Sequence, residues 1–288
     1  MLNPSIHRLD LGGFRVTSIL AGRFSLDGGA MYGVVPRPLW SRATPPDDRH
    51  RIPMTCNCLL VEADSGERVL FDAGIGQRFD ERGRDLFAVD GNTSLTGSLR
   101  LAGTAPEQIT HVLFSHLHFD HCAGALVSDS GRLRPTFPDA IHLVQDGEIE
   151  DGMRGHSIMK SSYVSEDIEC LRASTRFEGI DGNQEILPGL SVEITGGHTA
   201  HHQAIWLHGG DQSLVYPADL LPTRQHLRPY WIMAYDMFPH DTLTTKGLFT
   251  RRILDDQCII AWDHDPGSPF SRLSETNEGV VAIDVETA

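Results

Sequence analysis

The chain has 288 residues, 40% hydrophobic and 22% charged, the make-up of a folded α/β protein with a sizeable core. Its 39 acids against 24 bases leave a net charge of −15, which argues against nucleic acid or an anionic membrane as a partner. No apolar run approaches the roughly 20 residues that cross a bilayer. The N-terminus lacks a basic head followed by an apolar core, and five scattered cysteines fit reduced thiols, so the expected location is cytoplasmic.

In chain order, residues 6–21 alternate weakly and predict two strands joined at Gly12-Gly13. Phe24 to Trp40 holds neither period and reads as a long loop. Its apolar Met31, Tyr32, Val34, Val35 and Trp40 either cover a small core or form a substrate-facing lip. Strands are expected at 55–62 and 68–72, the first carrying Cys56 and Cys58 on one face as small buried hydrophobes. A helical stretch near 93–101 precedes a buried strand at 109–114. Further strands are expected at 140–144, 190–195, 204–207, 213–216, 258–261 and 279–285, with helices at 157–174 and 241–254. This alternation predicts one layered α/β domain over residues 1–288.

The strand at 109–114 runs into SHLHFDHCAG, which sets His116, His118, Asp120 and His121 within six residues. Imidazole and carboxylate donors packed this tightly suit zinc and its first-row neighbours. Three more such residues stand at expected strand ends: His198 after Gly196-Gly197, Asp219 after Pro217-Ala218, and His264 within Trp262-Asp263-His264-Asp265. Five histidines and two aspartates are enough for two ions. One takes His116, His118 and His198, the other Asp120, His121 and His264, and Asp219 bridges them. A water between the ions would ionise near pH about 7. Asp72, at a strand end before glycines, either caps a turn or accepts the spare N–H of a metal-bound histidine. Among the fifteen histidines some are bystanders, and Asp236 and Lys246 read as surface residues.

HLHFDH, followed by GGH at 196–198, Asp219 and His264, resembles the metallo-β-lactamase superfamily from the Asp72 turn to His264. The resemblance implies an αβ/βα sandwich, two mixed β-sheets flanked by helices, with two divalent ions at one edge. Zinc is the usual metal, and manganese, cobalt or iron suit the same donors. It implies that Asp72 supports a metal-bound histidine and that His202 stands behind the ligands. The segments LDGGAMYGVVPRPLW, TGGHTAHHQ and WIMAYDMFP are similar to the quorum-quenching N-acyl homoserine lactonase branch, YtnP-like members in particular. That branch carries a tyrosine three residues after the bridging aspartate. Here Pro222 occupies the position, leaving the role to His226, Tyr32 or Tyr235.

These likenesses imply a carboxylic ester hydrolase that opens lactone rings through a metal-bridging hydroxide. Asp120 and Asp219 are its candidate catalytic carboxylates, and Asp219 or a water returns the proton. Met31, Tyr32, Trp40, Trp231, Met233 and Phe238, with His226, are candidates for the wall that receives a substrate's apolar chain. The alternative is a phosphotriesterase of the methyl parathion hydrolase type, or another carboxylic ester hydrolase, because the same ligands serve attack at phosphorus. No basic patch for glutathione is visible. A diiron oxidoreductase would carry glutamate where His118 stands, and a mere binding protein would have lost ligands. The apolar stretch 28–40 could serve a second copy in a homodimer as well as a substrate.

Overall fold

The computed structural model describes residues 6–154 and 161–287. By contacts the described residues form two compact units. One holds the residues up to Arg23, Cys56–Gln184 and Thr287; the other holds Phe24–Thr55 and Glu185–Glu286.

The first half of the chain builds strands β1 (Arg8–Asp10), β2 (Phe14–Asp27), β3 (Arg51–Ala63), β4 (Arg68–Phe71) and β5 (His111–Leu113). A hairpin of β6 (Leu126–Asp129) and β7 (Arg132–Pro135) follows, then β8 (Ile141–Gln145) and β9 (Arg176–Ile180). The main sheet has the order β1-β2-β3-β4-β5-β8-β9. Pairing is antiparallel between β3 and β4, and parallel from β4 through β5 and β8 to β9. Cys56 to Val61 are buried without interruption along β3, the pattern of a strand covered on both faces. A second sheet runs β10 (Gln184–Leu187), β11 (Leu190–Ile194), β12 (Gln203–Gly209), β13 (Gln212–Tyr216), β14 (Ile259–Ala261), β15 (Phe270–Thr276) and β16 (Gly279–Asp284) in that order. Its β13–β14 pairing is parallel and the neighbouring pairs are antiparallel. The result is the metallo-β-lactamase fold, with two mixed sheets flanked by helices.

The helices are α1 (Gly28–Tyr32), α2 (Arg37–Ala43), α3 (Glu81–Phe87), α4 (Leu95–Ala102), α5 (Phe119–Cys122), α6 (Asp146–Arg154), α7 (Ser165–Ser174) and α8 (Pro239–Asp255). Their starts are written locally: Asp80 accepts the Gly83 N–H, Ser94 accepts the Gly97 N–H, and Pro239 opens α8. The long α8 buries Phe249, Ile253 and Leu254 against Trp206, Val215 and Ile260 of β12–β14. None of the described helices is long and apolar enough to cross a membrane.

The stretch expected as a loop, Phe24 to Trp40, instead completes β2 and then folds as α1 and α2. Asp27 caps α1 by accepting the Ala30 N–H at 2.7 Å, and Pro36 precedes α2. A Cβ at Gly28 would lie 2.6 Å from the Trp40 ring, so the glycine there serves close packing. The strand β15 and the helix α3 were not expected. The expected helix at 157–174 is confined to Ser165–Ser174, and positions 157–160 lie outside the described residues.

Candidate metal centre

In the first unit, β4 ends at Phe71 and Asp72 takes a left-handed turn with φ 55°, a conformation that aspartate tolerates better than most residues. Its carboxylate then faces the end of β5, accepting the Ser115 N–H at 2.7 Å and the Ser115 hydroxyl at 2.8 Å. It also accepts from His121 Nδ1 at 2.8 Å. The His118 carbonyl takes the N–H groups of His121 and Cys122, both at 3.0 Å, which winds the sequence into α5. Gly124 follows because a Cβ there would meet the Ala73 carbonyl at 2.0 Å.

His116, His118, Asp120 and His121 are all buried. The His116 ring lies 4.5 Å from that of His118 and 4.1 Å from that of His121. Glu148 of α6, itself fully buried, accepts the Leu117 N–H at 3.1 Å and the Tyr163 hydroxyl at 2.5 Å. The Tyr163 ring in turn meets that of His118 edge-on at 4.8 Å. Nothing in the local spacing marks Glu148, because its burial follows from the packing of α6.

In the second unit, β11 leads into Gly196 and Gly197, with φ of 60° and 84°. A Cβ on Gly197 would come within 2.8 Å of the Thr242 backbone, so the glycine lets this loop lie against the start of α8. His198 emerges between two carboxylates. Its Nδ1 donates to Asp236 at 3.0 Å, and its Nε2 lies 2.9 Å from Asp219. The other Asp219 oxygen lies 3.3 Å from His264 Nε2, and His264 Nδ1 donates to the Thr55 carbonyl at 2.7 Å. Asp263 stands 3.6 Å from the same His264 Nε2. His202 is buried, hydrogen-bonded through Nδ1 to Thr195 at 2.6 Å, with its ring edge-on to His198.

One rule runs through both sets. His121, His198 and His264 each turn Nδ1 to an oxygen that accepts, so Nε2 is left to present a lone pair. Opposite that nitrogen stands another carboxylate: Asp120 at 4.0 Å for His121, Asp219 for the other two. A lone pair facing a carboxylate needs a cation between them. Burial pushes the His198 imidazole down, but Asp219 and then Asp236 outweigh it and raise its pKa to about 10. The carboxylates that raise it favour positive charge at this nitrogen, and the His/Asp groups fit a metal site.

The residues expected to form a substrate wall lie elsewhere in character. Met31, Tyr32, Trp40 and Met233 are buried in the second unit, and Trp231 is half-buried. Tyr32 sits at their centre, with its hydroxyl 2.6 Å from Thr44 and its ring against His226, Trp231 and Trp40. His226 is hydrogen-bonded to Thr223 and to the Met31 carbonyl, and burial lowers its pKa to about 4. Of the two readings of this stretch, these residues take the first, covering a core, while Val34 and Phe238 are exposed. Asp236 and Lys246 are corrected: both are buried, and Lys246 Nζ donates to the carbonyls of Arg228 at 3.0 Å and Trp231 at 2.7 Å. An apolar cavity of about 220 Å³ in the first unit went unforeseen. Phe79, Phe87, Phe119, Ile75 and Val164 line it, beside the Arg78–Asp167 ion pair.

Residues 51–264 match the family model of the metallo-β-lactamase superfamily. An N-acyl homoserine lactonase of Bacillus sp. is 25% identical over 147 residues, 51% of this chain and 52% of that protein. The chain therefore spans about half the length of that relative. A probable metal-dependent hydrolase from Staphylococcus aureus superposes with a TM-score of 0.87 at 27% identity, over 97% of this chain and 100% of that one. The dizinc quorum-quenching lactonase AidC, bound to N-hexanoyl-L-homoserine, superposes with a TM-score of 0.79 at 19% identity, over 99% and 98%.

Proposed function

Because the chain belongs to the metallo-β-lactamase superfamily, as a metal-dependent hydrolase, we propose that its reaction is the opening of a lactone ring, with an N-acyl homoserine lactone as substrate. The observation that carries the reading is Phe119. It stands between His118 and Asp120 in the sequence and lines the apolar cavity with Phe79 and Phe87. An acyl chain held there would keep its polar head beside the metal stretch.

Two divalent ions, zinc first among them, held by His116, His118 and His198 and by Asp120, His121 and His264 with Asp219 shared, would supply hydroxide at neutral pH and polarise the ring carbonyl. The chain's own residues do the rest. Asp72 and Asp236 hold His121 and His198 in one tautomer. Asp219, with an oxygen toward each of two imidazoles, or a water would return the proton to the leaving alkoxide. Of the three candidates for the role of the tyrosine absent at Pro222, Tyr32 is hydrogen-bonded to Thr44 and His226 to the Met31 carbonyl, and Tyr235 is the third.

A phosphotriesterase would use the same donors, so the test compares substrates. Metal-loaded and chelated protein meet a long-chain N-acyl homoserine lactone in weak buffer, and proton release is followed. Metal-dependent acid production supports the lactonase reading. No release at full metal occupancy rejects it, and a phosphotriester is then tried.

A further inference from the structure

Asp263 lies outside the seven donors expected from the sequence. It lies two residues beyond the end of β14, after Trp262, and is 1% exposed. One of its oxygens lies 3.6 Å from His264 Nε2, the nitrogen that faces Asp219 at 3.3 Å. Ligand-type atoms of Asp219, Asp263 and His264 all lie within 4.8 Å of one another. The tautomer of His264 is fixed from outside this group, because the Thr55 carbonyl 2.7 Å from Nδ1 can only accept. Nε2 therefore presents a lone pair toward two carboxylates. That arrangement of one lone pair and two carboxylates favours a cation among the three.

We propose that Asp263 is a further carboxylate donor to the ion held by Asp219 and His264, and that it biases this position toward a divalent ion favouring oxygen. The proposal rests on the dinuclear reading above. In that reading this ion has three carboxylates and two imidazoles, whereas the other has three imidazoles and the shared Asp219. Oxygen-rich sets favour manganese relative to zinc, and nitrogen-rich sets favour zinc. The two positions already differ through Asp120, and Asp263 widens that difference toward oxygen.

The test strips the full chain with a chelator and titrates it with Zn2+, with Mn2+, and with an equimolar mixture. Bound metal is counted by mass spectrometry, and bound manganese is followed by electron paramagnetic resonance. The wild type is expected to bind two ions, with manganese retained at one position. Asp263→Asn keeps the size of the side chain. It should bind the first ion as the wild type does, bind the second about tenfold or more weakly, and lose most of its manganese share. Unchanged affinity and unchanged manganese share in the variant would overturn the proposal. So would loss of both ions with a native near-ultraviolet circular dichroism spectrum. If the asparagine chain does not fold, Asp263→Ser is read on the same scale. A wild type that binds no second ion fails the dinuclear reading itself, a result distinct from a variant that matches a two-ion wild type.

Discussion

Asp236 turns one carboxylate oxygen to Nδ1 of His198 at 3.0 Å and takes the Met233 N–H on the other, also at 3.0 Å. The aspartate is thus anchored by backbone and aimed by geometry. Asp236→Asn can keep the Met233 contact, but its amide N–H₂ turned to the ring would favour the tautomer with the proton on Nε2. A protonated Nε2 cannot bind metal. Metal affinity should fall about 10- to 100-fold while the urea midpoint of the metal-free protein moves little. Competition with a chromophoric chelator measures the first and an unfolding curve the second. Wild-type affinity in the variant would show that Asp236 does not set the tautomer.

Lys246 carries a pH dependence whose sign is fixed. Burial lowers its pKa from 10.5 to about 8, and Asp236 pulls it partly back. Between those values the unfolded chain binds more protons than the folded one, so stability from this group rises with pH across the window. Below the folded value the cost of burying the ammonium is paid in full. The neutral amine still has two N–H donors for the Arg228 and Trp231 carbonyls. Lys246→Met strands both carbonyls, each at about 1–3 kcal/mol, and removes the titration. The stability difference between wild type and variant should therefore widen from pH about 8 to 10.5. Urea unfolding at several pH values checks this, and a difference independent of pH would contradict it.

What the sequence made legible was what its local spacing encodes. His116, His118, Asp120 and His121 lie within six residues after a buried strand, so their convergence needs no knowledge of the fold. Residues of β3 and β12 announce themselves as apolar runs. The helices α1 and α2 do not, because five and seven residues are too few to display a helical period. Asp236 and Lys246 look like ordinary surface charges until α8 and the segment after Arg228 bury them. Asp263 was hidden by its neighbour, since a residue beside a ligand is usually a bystander.

The cavity of about 220 Å³ makes chain length the variable to probe. Phe87 lines it from α3, outside the metal stretch. It is half-buried against Phe119, with ring centroids 5.4 Å apart. Phe87→Ala removes apolar contact surface worth about 1.5–3 kcal/mol if fully used by a ligand. KM for a long-chain lactone should rise about tenfold, while KM for a short-chain lactone and kcat for both stay near wild type. Equal effects on short and long chains would place the chain elsewhere.

Metal removal should unsettle the fold as well as abolish activity. Asp219 faces His198 at 2.9 Å and His264 at 3.3 Å, all three buried. Without a cation these groups either repel or take up protons, and the carboxylates that raise the His198 pKa favour that uptake. Protons neutralise charge but cannot hold several donors in fixed directions. An ion bound only by the folded chain, at a free concentration about 1,000 times its Kd, adds about 4 kcal/mol to stability. Excess chelator should therefore lower Tm by several degrees. Adding back Zn2+ should restore it in two steps of differing affinity, since the proposed donor sets differ in nitrogen and oxygen content. Scanning calorimetry on chelated and reconstituted samples reads both effects. A chelated protein with an unchanged Tm would mean that the buried carboxylates and imidazoles are balanced by protons alone, and the metal reading would fail with it.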